Sequence, residues 1–174
     1  MTLWVERIVA ATGWQPRGIQ LSWTVAEEAL GVELPGDFKE LCATFGRGEF
    51  SGYVSMLASA GSDSSGVAGN LRRLHSIFDR RPTARRLYEP YGVYPEGRLI
   101  QWADTADEAE FHWLVQSDNP ESWKIVARRA TDEPWHELEM STSEFLSRVL
   151  TDEEFAPFGI ARHVPEASFE PLEE

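Results

Sequence analysis

The sequence holds a single cysteine, Cys42, so no disulfide can close within the chain. Its histidines, His75, His112, His136 and His163, are scattered without HxH or HxxxH spacing, so no metal ligand set is readable and no cofactor is expected. No run approaches the ~18 consecutive apolar residues of a membrane-spanning helix. Basic charge is scarce: 16 Lys plus Arg stand against 29 Asp plus Glu, a net charge of −13. Neutralising phosphates with Lys and Arg dominates nucleic-acid affinity, so this sign argues against direct binding of nucleic acid. Phosphate-binding glycine patterns are missing too, and Gly46-Arg47-Gly48 reads as a helix stop before a strand. The opening MTLWVERIVAATGW carries Glu6 among its apolar residues with no basic stretch before them, so a cytoplasmic, reducing location is expected.

What remains is an acidic chain of 174 residues with 42% hydrophobic and 26% charged residues, the composition of a soluble domain. At this length one domain, 1–174, buries roughly 70% of its unfolded surface and needs no covalent or metal staple. Residues 1–100 carry 11 basic and 11 acidic side chains, whereas 101–174 carry 5 and 18, so the excess is C-terminal. Arg72, Arg73, Arg80, Arg81, Arg85 and Arg86 cluster against the single acid Asp79. Such a run reads first as a solvated helix face and second as a phosphate site.

Periodicity outlines the elements. Leu3, Trp4, Ile8 and Ala11 repeat at helical spacing, with Thr2 placed to cap and Gly13 to stop. Thr24-Val25-Ala26-Glu27 has capping-box form and Gly31 ends that helix. After Leu34-Pro35, the residues Phe38, Leu41, Cys42 and Phe45 fall on one helical face, and Cys42 reads as a small buried hydrophobe. A strand broken by Gly52 is expected over 49–57, a mobile Ser/Gly-rich insertion over 58–70, and then a helix capped by Asn70 and interrupted at Pro82. Strands follow at 98–103, 110–116 and 122–130, the last two a hairpin with Phe111, Trp113 and Val115 facing the same way as Trp123, Ile125 and Ala127. A short strand over 135–140 leads to the capping box Ser141–Glu144 and a helix bearing Phe145, Leu146, Val149 and Leu150, followed by an acidic tail from about Thr151. The seven tryptophans read mainly as core, with four or more inside. The fold class is α+β: N-terminal helices packed on one face of a largely antiparallel twisted sheet, with a closing C-terminal helix.

The order of signals resembles the SUKH superfamily, which includes bacterial immunity proteins and a fungal cell-wall-synthesis regulator. The resemblance rests on LGVELPGDFKEL at 30–41 followed by FGRGEF at 45–50, and continues through Trp113, the Pro120–Trp123 segment and Glu144-Phe145-Leu146. It implies a non-enzymatic protein-binding domain, in bacteria chiefly an immunity protein that occludes a cognate toxin. Nucleases and deaminases carry basic surfaces, so the expected partner is a basic protein toxin, which an acidic inhibitor steers and covers at once. Alternatives are a regulator or scaffold on the same fold, an unrecognised enzyme, and an acidic DNA mimic. The candidate interface is the inter-strand acidic patch Asp104, Asp107, Glu108 and Glu110, with Trp102 as an aromatic anchor beside it and Tyr91 and Tyr94 extending it. A solvated turn is the plain reading of those acids, and core packing that of the tyrosines. A paired-carboxylate hydrolase is disfavoured, because acids adjacent on one loop lack the pocket that would split their pKa values.

Overall fold

A computed structural model describes residues 1–173. The helices are α1 (Leu3–Thr12), α2 (Thr24–Leu30), α3 (Gly36–Phe45), α4 (Val67–Arg80) and α5 (Thr142–Thr151). The strands are β1 (Gly48–Phe50), β2 (Val54–Met56), β3 (Leu99–Thr105), β4 (Glu110–Leu114), β5 (Lys124–Arg128), β6 (His136–Leu138) and β7 (Phe169–Pro171), with 3-10 turns at Pro82–Tyr88 and Pro120–Ser122. The strands form one antiparallel sheet in the order β6-β5-β4-β3-β2-β1-β7, so the molecule is α+β.

Residues directly across from one another on neighbouring strands share a face. One face carries Phe169, Phe50 and Val54 in one row and Ile100, Trp113, Ile125 and Leu138 in another. Helices cover it. Phe38 of α3 meets Trp113 edge-on at 4.9 Å, Phe45 meets Phe50 at 4.8 Å, and Phe145 of α5 meets Phe111 at 4.7 Å. The expected stripe Phe38, Leu41, Cys42 and Phe45 is fully buried, and burial pushes the Cys42 thiol far up. Trp23, Trp102, Trp113 and Trp123 are all buried, as the core reading of the tryptophans expects. The opposite face is covered at its β3–β5 end, where Tyr88, Tyr91 and Trp135 pack on Leu99, Leu114 and Val126.

Several local expectations are corrected. The strand over 49–57 is a hairpin, β1 and β2, pairing Phe50 with Val54 across a turn in which Ser51 (φ 53°) and Gly52 (φ 60°) are left-handed. Phe50, Val54 and Met56 still alternate because paired hairpin residues share a face. Of segment 58–70, Val67–Asn70 form the buried first turn of α4, so Asn70 does not cap it; its side-chain amide donates to Gln101 Oε1 at 3.4 Å. Small residues serve close packing there, since a methyl group on Gly69 would run into the Asp63 carbonyl. The box at Thr24 does not form: the Glu27 carboxylate instead accepts the Leu34 N–H at 3.0 Å and pairs with Lys39. The box at Ser141 forms in half, its hydroxyl accepting the Glu144 N–H at 3.2 Å. The closing helix α5 is present as expected, and the tail beyond it returns to add β7 to the β1 edge.

Candidate protein-binding site

A β-bulge sets the site. The register of β3 against β4 shifts between Gln101 and Ala103, so Trp102 and Ala103 both turn to the helix-covered face, and the next residue, Asp104, is reset to the other one. There it stands across from Glu110 on β4 and Ser55 on β2. Ser55 in turn faces Glu49 on β1, Glu49 faces Glu170 on β7, and Glu110 faces Arg128 on β5. One straight row therefore runs Glu170, Glu49, Ser55, Asp104, Glu110, Arg128, about 24 Å long at the usual inter-strand spacing. Glu170, Glu49 and Asp104 are exposed.

The row ends in a buried polar cluster. Arg128, 1% exposed, donates from Nε to Glu110 Oε2 at 2.5 Å and from Nη1 to the Leu87 carbonyl at 2.5 Å and the Thr131 carbonyl at 3.1 Å. Its guanidinium lies 4.0 Å from the Trp135 ring centroid and 5.0 Å from that of Tyr88. Burial alone would raise the Glu110 carboxyl, but His112 and Arg128 beside it outweigh that and hold it at about 2. His112 is buried and pushed down by that burial, so Arg128 supplies the lasting positive charge. Asp104 moves the other way, raised first by partial burial and then by the charge of Glu110, opposed in part by Arg73, with Glu49 adding a smaller upward push.

The remaining candidates separate. Asp107 Oδ1 accepts from the Thr105 hydroxyl at 2.6 Å and the Tyr53 hydroxyl at 2.8 Å, and Arg129 lies 3.9 Å from its other oxygen. Burial and the Asp107 bond push the Tyr53 phenol up to about 12. Glu108, left-handed at φ 71°, is exposed at the tip of the β3–β4 loop. Tyr91 lies on the same sheet face but beyond the buried cluster, donating its hydroxyl to Glu137 at 2.7 Å. Tyr94 packs half-buried against the main core, its carbonyl 2.5 Å from His75 Nε2, and does not join the acids. Trp102 is 0% exposed, so a surface anchor role at that position is excluded; the bulge that exposes Asp104 is what buries it. Glu49, Glu170 and Arg128 complete the row, although nothing local in the sequence marks them: their place depends on register between distant strands.

Asp104 and Glu110 shift in opposite directions, as an acid/base pair does, yet Asp104 is exposed on the sheet surface and Glu110 is locked to Arg128. A hollow of about 680 Å³ lies elsewhere, lined by Arg17, Ile19, Arg47 and Leu172 among others. Among the described residues no group of three or more His, Cys, Asp and Glu is arranged to hold a metal ion, and no helix is long and apolar enough to cross a membrane. No curated protein and no solved structure matches the chain. A family model does match, that of SUKH_6, described as SMI1-KNR4 cell-wall, over residues 20–146. That span takes in α2 through the start of α5, including every strand of the sheet except β7. The bulged, helix-backed sheet with its acidic open face is thus the framework of a protein that belongs to the SUKH superfamily.

Proposed function

We propose that this chain is a non-enzymatic protein-binding domain whose partner is a basic protein, and that it serves in the cytoplasm as an immunity protein occluding a cognate toxin. The observation that carries this reading is the acidic row: Glu170, Glu49 and Asp104 exposed in line on the sheet face opposite the main core. A net charge of −13 adds a long-range field that raises the encounter rate with a positive partner. Asp107 and Glu108 extend the negative surface around the β3–β4 loop, and Tyr91 with Glu137 bounds it beyond Arg128. Occlusion needs only shape and charge.

The same face would serve a regulator or scaffold equally well, and the cell-wall description of the matched family favours that as the second reading. The test is capture of the basic C-terminal domain of a secreted toxin encoded beside this chain. The wild-type protein retains it, and a variant with alanine at the exposed acids Asp104, Asp107 and Glu108, which keeps the buried Glu110–Arg128 pair, releases it. Retention by that variant overturns the site; toxin activity unaffected by the wild-type protein overturns the immunity reading.

A further inference from the structure

The sheet edge at β1 is occupied by the chain's own C-terminus, and the fit is mixed. Ser51 N–H donates to the Ser168 carbonyl at 2.8 Å and Leu172 N–H to the Arg47 carbonyl at 3.0 Å, bracketing a three-residue pairing. Phe169 is the anchor, 8% exposed, with its ring 4.8 Å from those of Trp14 and Phe50 and 5.1 Å from that of Phe45. Gly48 admits the strand at close range, since a methyl group there would run into the Glu170 carbonyl and the Phe169 ring. The residue between these favourable contacts is mismatched: Glu170 stands directly across from Glu49, on the face that already carries Asp104 and Glu110. Like charges opposed on neighbouring strands are destabilising.

Two further features point to exchange of this strand. Between Ala161, 4% exposed, and Phe169, residues 162–168 are all exposed or half-buried, so Phe169 is the one buried tie that holds β7 and its leader to the core. Pro171 sits opposite Gly48, and the bonds at 51/168 and 47/172 put that position where an amide would point outward. The missing N–H there blunts the free side of β7, so a strand cannot readily add to β7 and has to replace it. Both β7 and its leader lie outside residues 20–146, the span shared with the family model.

We infer that the β1 edge is a strand-addition site for a basic partner segment, held in cis by β7 as a replaceable stand-in. The matching segment carries an aromatic residue opposite Phe50, Lys or Arg opposite Glu49, and an uncharged or acidic residue opposite the exposed Arg47. Main-chain bonds supply affinity, and the exchange of Glu170 for a cation supplies preference. This holds whatever protein the acidic row engages.

The test uses the full chain and a fluorescent peptide of residues 167–173 carrying Glu170→Lys, followed by anisotropy. Phe169→Ala loosens β7 but leaves Trp14, Phe45 and Phe50 in place, and it binds the peptide at least tenfold more tightly than wild type. The unsubstituted peptide binds that variant about three- to tenfold more weakly than the Glu170→Lys peptide, the range an opposed charge pair supports. Adding Gly48→Ala to Phe169→Ala abolishes binding by closing the edge to any strand. In the wild type, the Ser51 amide exchanges hydrogen by local opening, well ahead of the β3–β4 amides. Equal peptide binding by wild type and Phe169→Ala, or binding that survives Gly48→Ala, overturns the inference. So does Ser51 exchange that occurs only with global unfolding, a readout that stands even where Phe169→Ala fails to fold. A wild-type dimer formed by swapping β7 assigns the edge to a second copy and overturns the partner class.

Discussion

Arg128 Nε lies 2.5 Å from Glu110 Oε2 across the β4–β5 pair, with 2% and 14% of the two side chains exposed. The pair sits on the sheet face opposite the main core, where Arg128 also holds the Leu87 carbonyl and with it the 3-10 turn that covers Leu99, Leu114 and Val126. Removing one member leaves a buried charge without its counterion. Arg128→Met is therefore expected to lower unfolding stability by about 3–5 kcal/mol in a urea titration. The double variant Arg128→Met with Glu110→Leu should recover a large part of that loss, because no uncompensated charge remains. A double variant as unstable as the single one would show that the pair matters through packing alone.

The same pair fixes how stability responds to acid. The folded Glu110 carboxyl, at about 2, lies below its ordinary 4.5. A depressed carboxyl stabilises the fold fully above the unfolded value, and that contribution fades as pH falls from about 4.5 toward 2. Asp104 is raised, so it opposes folding once ionised and ceases to do so when protonated, which partly offsets the loss. The net expectation is a fall in urea midpoint below pH 4.5 that Glu110→Gln flattens. An acid limb unchanged by Glu110→Gln would assign acid sensitivity to other carboxylates.

Asp104 stands across from Glu110 and within the field of Glu49, so its charge strains the free protein while serving any basic partner. Asp104→Asn is expected to leave stability at pH 7 unchanged or raise it by up to about 1 kcal/mol. Association with a basic partner should slow at low ionic strength, the difference from wild type narrowing as salt is added. Stopped-flow association rates at two salt concentrations, beside thermal melts, check both halves. A destabilised Asp104→Asn protein would mean that the row is held by bonds its exposed carboxylates do not show.

How far this was readable from the sequence depends on the range of each interaction. Phe38, Leu41, Cys42 and Phe45 declare their helix because one face repeats within ten residues, and Trp113 with Ile125 declares a hairpin because the pairing is local. The α+β class follows from those signals. The acidic row does not, since Glu49 and Glu170 meet across 121 residues of chain through strands of three residues each. The burial of Trp102 is hidden for a related reason: the acids that follow it suggest a surface anchor, but a bulge that only the β3–β4 register reveals turns it inward. Asp104 and Glu110 were legible as acids on one patch, while their unlike environments were not, because Arg128 arrives from a third strand.

The two serine/threonine boxes give a last contrast. Ser141 and Thr24 each precede a Glu by three residues, yet only Ser141 accepts the N–H of that Glu, at 3.2 Å, and α5 starts one residue later. Thr24 is already the first helical residue of α2, behind Trp23, and makes no capping bond. Glu27, which would complete its box, reaches instead to the Leu34 N–H and Lys39, tying α2 to the start of α3. Ser141→Ala is therefore expected to cost about 1 kcal/mol, the usual penalty of a lost N-cap, whereas Thr24→Ala should change stability by less than about 0.5 kcal/mol. Glu27→Ala should cost more than Thr24→Ala, because it frees the Leu34 N–H in a half-buried turn. Urea unfolding of the three variants orders them, and a Thr24→Ala loss equal to that of Ser141→Ala would show that the hydroxyl caps α2 in solution after all.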